Sequence, residues 1–147
     1  MVEITEKPTS HRSRVVITKE PISPETVVNR VKTDKSGCVV TYVGLIREHS
    51  RGRKVVSVEY CDSDGKAEKR LKEIASDTRQ KWQLGNIAIC HRMGKLKVGD
   101  INLVIAVASA HRQEGFSACQ YAINQFKQRI TTLKKETYED GSVWVEE

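Results

Sequence analysis

Hydrophobic and polar positions change their spacing several times along this 147-residue chain, and each change marks an element. Residues 14–18 (Arg-Val-Val-Ile-Thr) are β-branched and predict a short strand. Ser23-Pro24-Glu25 joins a capping serine, a proline at the first helical position and an acid near the positive dipole end, so a helix is predicted to about Val31. Residues 37–46 are nearly continuous in apolar character and predict a buried strand, and residues 55–60 alternate as a second one. Asp62-Ser63-Asp64-Gly65 supplies turn and cap residues for a long helix to about Trp82. Its inward stripe is Ala67, Leu71, Ile74, Ala75 and Thr78, while Lys66, Lys69, Arg70, Lys72 and Arg79 stay solvated. Residues 86–93 predict a strand ended by Gly94, and residues 101–108, apolar on both faces, a central one. After His111, Phe116, Cys119, Ile123, Phe126 and Ile130 recur at steps of three and four, which predicts one buried helical stripe. Residues 133–138 and 142–145 form an expected hairpin turned by Glu139-Asp140-Gly141.

The resulting order, β-α-β-β-α-β-β-α-β-β, is an α+β pattern with a mixed or antiparallel sheet and about three helices. The expected organisation is a flexible N-terminal tail, residues 1–13, followed by a single domain over residues 14–147, long enough to bury a core without metals or disulfides. No apolar run is long enough to span a membrane, and residues 1–14 lack the stretch that export requires, so a cytoplasmic protein is expected. Cys38, Cys61, Cys90 and Cys119 are widely separated, as are His11, His49, His91 and His111. Free thiols in a reduced compartment are expected, and no metal site. Dinucleotide, Walker and serine-hydrolase signatures are absent.

A net charge of +6 favours anionic partners. Aromatic residues make up only 5%, and none interleave with the basic clusters, so a stacking surface for single-stranded nucleic acid is not favoured. Residues 47–54 hold Arg47, Arg51, Arg53 and Lys54 against Glu48 and read as a mobile basic loop. Ser109-Ala110-His111-Arg112 ends a strand and opens a helix, placing an imidazole and a guanidinium where backbone N–H groups and the dipole already attract an anion. Lys127 lies one residue off the helical stripe, so its stem can pack at the core edge while its ammonium reaches a cleft. Lys134 and Lys135 follow.

Several segments together carry a family resemblance: Thr41-Tyr42-Val43-Gly44-Leu45-Ile46-Arg47; Glu59-Tyr60 with Ala67-Glu68-Lys69; His91-Arg92-Met93-Gly94-Lys95-Leu96; Val98-Gly99-Asp100; Ser109-Ala110-His111-Arg112; Phe126-Lys127; and Lys134-Lys135-Glu136 ahead of Gly141 and Trp144-Val145. In this order and spacing, over residues 15–145, the chain resembles the large, catalytic subunit of molybdopterin synthase. The resemblance implies an α/β-hammerhead fold and a sulfur transferase, without a cofactor, that converts cyclic pyranopterin monophosphate into dithiolene-bearing molybdopterin. The sulfur donor it implies is a small ubiquitin-like subunit with a C-terminal Gly-Gly thiocarboxylate, and the assembly a homodimer within a heterotetramer. Lys127 and Lys134 match the family's two lysines beside the thiocarboxylate. Lys127 is then expected to carry the more critical chemistry, and Lys134 to stabilise developing charge. Arg47, His111, Arg112 and Lys135 are the expected substrate-binding residues, as donors to the anionic substrate and donor tail. His91-Arg92 is expected to serve architecture, and Glu59 and Tyr60 are ambiguous.

The chain departs from the family pattern at Thr131-Thr132-Leu133, where many members have Pro-x-Trp, and at residues 61–66, where an aromatic residue and a methionine are usual. Two other readings stay open: a non-catalytic member that only binds the small subunit, and a basic RNA-binding module supported by charge and the arginine-rich loop alone.

Overall fold

The structure is a computed structural model that describes residues 13–130 and 132–146. The expected tail lies outside these residues, save for Ser13, which opens the first strand. The elements in chain order are β1 (Ser13–Thr18), α1 (Pro24–Val31), β2 (Cys38–Leu45), β3 (His49–Ser50), β4 (Arg53–Asp62), α2 (Ala67–Trp82), β5 (Asn86–Arg92), β6 (Gly94–Lys97), β7 (Ile101–Ser109), α3 (Arg112–Arg129), β8 (Thr132–Tyr138) and β9 (Val143–Glu146).

Two sheets divide them. The first runs β1-β5-β7-β2, with β1 parallel to β5 and the other neighbours antiparallel. Its central strands are buried on both faces, which is why residues 101–108 carry no polar alternation beyond Asn102. One face packs on α1 through Val27, Val31, Ala88, Val104 and Ala106; the other packs on α2 and α3 through Leu71, Ile74, Ile87, Ile89, Ile105 and Ala118. The second sheet runs β3-β4-β8-β9, with β6 also on β4, over a smaller core of Val55, Val58, Tyr60, Met93, Leu96 and Tyr138.

Local chemistry accounts for the helix ends. The Ser23 hydroxyl accepts from the Thr26 N–H at 3.3 Å, as its position before Pro24 predicts. At α2 the cap comes from further back: the Asp62 carboxylate accepts from the Ala67 N–H at 3.2 Å. The α2 stripe is the expected one, with Ala67, Leu71, Ile74, Ala75 and Thr78 all buried.

Three expectations are corrected. Strands β3 and β6 add to the predicted order; two residues give no period to read, and Gly94-Lys95-Leu96-Lys97 buries only Leu96. The basic loop is not a free segment. Its hairpin is tied to the C-terminal one by Arg53 donating to Ser142 at 2.8 Å, by Lys54–Glu139 at 3.6 Å and by Arg51 stacked 3.9 Å above the Trp144 ring. Phe116 is 61% exposed rather than part of the core. Helix α3 approaches the sheet so closely that its inward face is Gly115, Ala118, Cys119 and Ala122. A Cβ on Gly115 would meet Ser109 Oγ at 2.8 Å and Val40 Cγ2 at 2.9 Å, so a phenyl ring in this turn is turned outward.

Gly37 makes a second close approach. Its N–H donates to the Ser109 carbonyl at 2.8 Å, and a Cβ there would strike the Ala110 carbonyl oxygen, just ahead of His111. Gly37→Ala is expected to lower the unfolding free energy by about 1–3 kcal/mol, read as a shift of the urea midpoint at constant slope.

Candidate active site at the junction of the two sheets

Where the C-terminal end of β5 meets the second sheet, a polar cluster is enclosed by rings. His91, fully buried, is the penultimate residue of β5. Its Nδ1 lies 2.8 Å from the Asn102 carbonyl oxygen, which can only accept, so Nδ1 carries the proton. The Asn102 side-chain amide donates to the Tyr60 hydroxyl at 2.9 Å. The His91 ring meets two aromatic neighbours edge-on: Tyr60 of β4 at 5.2 Å and Phe126 of α3 at 5.1 Å between centroids. Lys134 stands opposite Tyr60 in the β4–β8 ladder, and its ammonium lies 3.2 Å from the Glu136 carboxylate. Glu136, itself 2% exposed, also accepts from the Tyr138 hydroxyl at 2.9 Å.

Burial and charge set the protonation states. Burial pushes the His91 pKa below its ordinary value, against the opposing Asn102 hydrogen bond and Asp62 charge. Burial pushes the Tyr60 phenol up, although Lys134 and the Asn102 hydrogen bond pull the other way. For Glu136 burial would raise the pKa, but hydrogen bonds from Ser50 and Tyr138 and the Lys134 charge outweigh it, so the carboxyl sits below its ordinary range.

The six residues picked from sequence fall into two groups. Lys127 is exposed, one residue beyond Phe126, in the last turn of α3. Lys134 is beside Tyr60, and Arg47 leaves β2 at this same end of the sheet, because the end of β2 pairs with Ile101. Lys135 is exposed on the opposite face of β8 from Lys134, in register with Glu59. His111 and Arg112 are exposed at the other end, where Cys38 pairs with Ser109. Sixteen residues separate His111 from Lys127, which is about 24 Å at the helical rise. One chain therefore gathers Arg47, Lys127 and Lys134 and sets His111 and Arg112 apart from them.

A cleft of about 460 Å³ opens beside the cluster, between the end of β1 and β4, lined by residues that include Lys19, Glu59, Tyr60, Cys61, Asp62 and Met93. The departing segment at residues 61–66 begins here. Arg92, next to His91, turns away to the Lys19 carbonyl at 3.2 Å and to Asp100 at 3.8 Å. The sequence reading passed over Asn102 and Glu136. The signal available was polarity out of place: an amide inside an apolar strand, and an acid between two lysines and a tyrosine. Among the described residues, no three His, Cys, Asp or Glu side chains group as a metal site, and no helix is long and apolar enough to cross a membrane.

Comparison with known proteins gives the relatives of the chain. Residues 17–129 match the family model described as MoaE protein. The chain is 37% identical over 132 residues to the molybdopterin synthase catalytic subunit of Bacillus subtilis, covering 90% of this chain and 84% of that protein. It is also 37% identical over 144 residues to the human one, covering 98% of this chain and 75% of that protein. The crystal structure of molybdopterin synthase from Staphylococcus aureus superposes with a TM-score of 0.82 at 34% identity, over 91% of this chain and 96% of that one. A complex of subunits 1 and 2 of molybdopterin-converting factor from Helicobacter pylori shares the fold, with a TM-score of 0.68 at 9% identity over 87% of this chain and 86% of that one.

His91 and Glu136 give separable pH limbs. An unfolded imidazole titrates near 6.5 and His91 lower, so between the two values the unfolded chain holds the extra proton. That contribution is complete above about pH 6.5 and is lost as pH falls toward the folded pKa. Glu136, depressed from 4.5, acts in the same direction but only below about pH 4.5. Urea titrations are expected to show His91→Phe flattening the upper limb and Glu136→Gln flattening only the lower one. Glu136→Gln should also lower stability at neutral pH by about 1–3 kcal/mol.

Proposed function

The chain belongs to the MoaE family of molybdopterin synthase catalytic subunits, and we propose that it transfers sulfur from the C-terminal thiocarboxylate of a small ubiquitin-like subunit to cyclic pyranopterin monophosphate, giving the dithiolene of molybdopterin. What carries this reading is the convergence of Lys127 and Lys134, from different elements, on the end of the molecule where Tyr60, His91 and Phe126 pack together. A helix-end lysine with an exposed amine is free to act on the donor tail or the reacting carbon. Lys134, held by Glu136, is a fixed cation for developing negative charge. Arg47, at the same end, offers a forked donor to the anionic tail.

The phosphate of the substrate needs its own donors, and His111 with Arg112 at the helix N-terminus supplies them. Since these lie about 24 Å from Lys127 along α3, the reading requires a homodimer in which one copy's α3 N-terminus closes the other copy's lysine end. A two-fold axis then builds two equal sites. Exposed apolar residues at both ends support such pairing: Val43 at 38% and Leu45 at 56% near Arg47, and Phe116 at 61% beside Arg112. Lys135 sits on the outer face of β8 and serves the approach of the anionic tail. With two small subunits the assembly is a heterotetramer, and a solved complex of the two molybdopterin-converting-factor subunits has this fold.

Reconstitution with thiocarboxylated small subunit and cyclic pyranopterin monophosphate tests the proposal. Wild type is expected to form dithiolene product, and Lys127→Ala to fold normally yet lose about a hundredfold or more in rate. A stable complex that yields no product would instead establish the binding-only reading. Refolding equal amounts of Lys127→Ala and Arg112→Ala chains together should restore about a quarter of wild-type sites if the site is shared between copies, and none if it is not.

A further inference from the structure

His91 was expected to be architectural, and its neighbour Arg92 is engaged with backbone and Asp100. The imidazole differs in what it touches. It sits one residue before the end of β5, in register with Leu103 of β7 and Ile17 of β1, and it joins ring to ring with both Phe126 of α3 and Tyr60 of β4. Phe126 is the residue before Lys127, and Tyr60 is the residue opposite Lys134. The two lysine-bearing elements therefore both lean on one ring.

That ring is held in place as well as packed. Nδ1 is anchored on the Asn102 carbonyl, and the Asn102 side chain anchors the Tyr60 hydroxyl, closing a loop of contacts around the imidazole. Nε2 is buried and has no hydrogen-bond partner among the described residues. A purely structural site would be served as well by an apolar ring, without leaving a polar atom unpaired. What the imidazole adds is a single fixed orientation, set by one hydrogen bond, for the ring against which both lysine-bearing segments pack.

Building on the sulfur-transfer reading above, we propose that His91 is a positioning residue that sets the spacing of Lys127 and Lys134 by acting as the spacer between Phe126 and Tyr60. It touches neither substrate nor donor tail; it acts through the last turn of α3 and the β4–β8 ladder. A small displacement of one amine relative to the other degrades the reacting geometry while the outer binding surfaces stay intact.

The test compares His91→Asn, which can keep the donor to the Asn102 carbonyl but has no ring, with His91→Phe, which keeps the ring but not the donor. In the reconstituted synthase, His91→Asn is expected to lower kcat about tenfold or more while KM and small-subunit affinity stay within about twofold. His91→Phe, which restores the bulk between the two segments but not the anchored orientation, should recover only part of the lost kcat. On the chain alone, a short amine-reactive cross-linker read by peptide mass spectrometry should join Lys127 to Lys134 in wild type and His91→Phe, and several-fold less in His91→Asn. Should His91→Asn fail to fold, Phe126→Leu removes the same ring contact from the other side and is read by the same criteria. Wild-type kcat in the ring-less variant, or an unchanged cross-link yield, overturns the proposal. If wild type itself makes no product, the sulfur-transfer reading fails, and the cross-link comparison alone decides whether His91 spaces the lysines.

Discussion

Helix α3 is laid against its sheet with little more than Gly115, Ala118, Cys119 and Ala122 between them, and much of the molecule follows from that close approach. A helix so near β2 and β7 cannot slide or roll without driving backbone into Val40 and Ser109. Its two ends are therefore fixed relative to the strand ends beneath them. The N-terminal end carries His111 and Arg112 out of β7, and the C-terminal end delivers Phe126 onto His91 and Lys127 to the surface beyond. The same approach pushes Phe116 outward, which leaves an apolar ring exposed in the helical turn that follows His111 and Arg112.

The second sheet is attached at the other end by a different kind of contact. Apolar packing alone, as between α2 and the first sheet, is tolerant of small rotations. At the junction the partners are instead an imidazole, an amide and a phenol joined by directed hydrogen bonds, with an ion pair of Lys134 and Glu136 alongside. Such contacts contribute modest net stability and leave Nε2 of His91 and Oδ1 of Asn102 without hydrogen-bond partners among the described residues. What they provide is orientation: the loop of bonds closes in one geometry only, and β4 and β8 are aligned to it.

Much of this was legible in the chain. Periodicity located the three helices and the long strands, because each buries a continuous stripe or face. It failed where packing overrode residue size: the large apolar residues of α3 suggested a face through Phe116, but the closeness of the sheet selected the small ones. It was silent on β3 and β6, which are too short to show a period and exist because β4 offers them an edge. The site was half legible. The sequence puts Lys127, Lys134, Arg47, His111 and Arg112 forward as one set, whereas the fold sets them at two ends, as the sixteen helical steps from His111 to Lys127 already imply. Tyr60 and His91 stayed ambiguous, since a polar residue at a strand end reads alike whether it faces solvent or a junction.

Charge distribution makes the division into two ends functionally coherent. The chain carries a net +6, but not evenly. The arginine-rich hairpin, which looked like the main cationic feature, is matched by the acids of the C-terminal hairpin: Arg51 with Glu146, Arg53 with Asp140 and Lys54 with Glu139. Exposed pairs of this kind add little to stability, but they offset positive charge locally. Likewise Arg129 is taken up by Glu73 and Asp77 across the α2–α3 contact. The cations outside these pairings include Arg47 and Lys127 at one end and Arg112 at the other, the latter at a helix N-terminus that adds its own positive potential. On the proposed function, the anionic tail and the phosphorylated substrate go to opposite ends of one chain, and a reaction that needs both has to bring two ends together. The proposed homodimer, with a second copy turned to face the first, meets that requirement without any change in the fold of either.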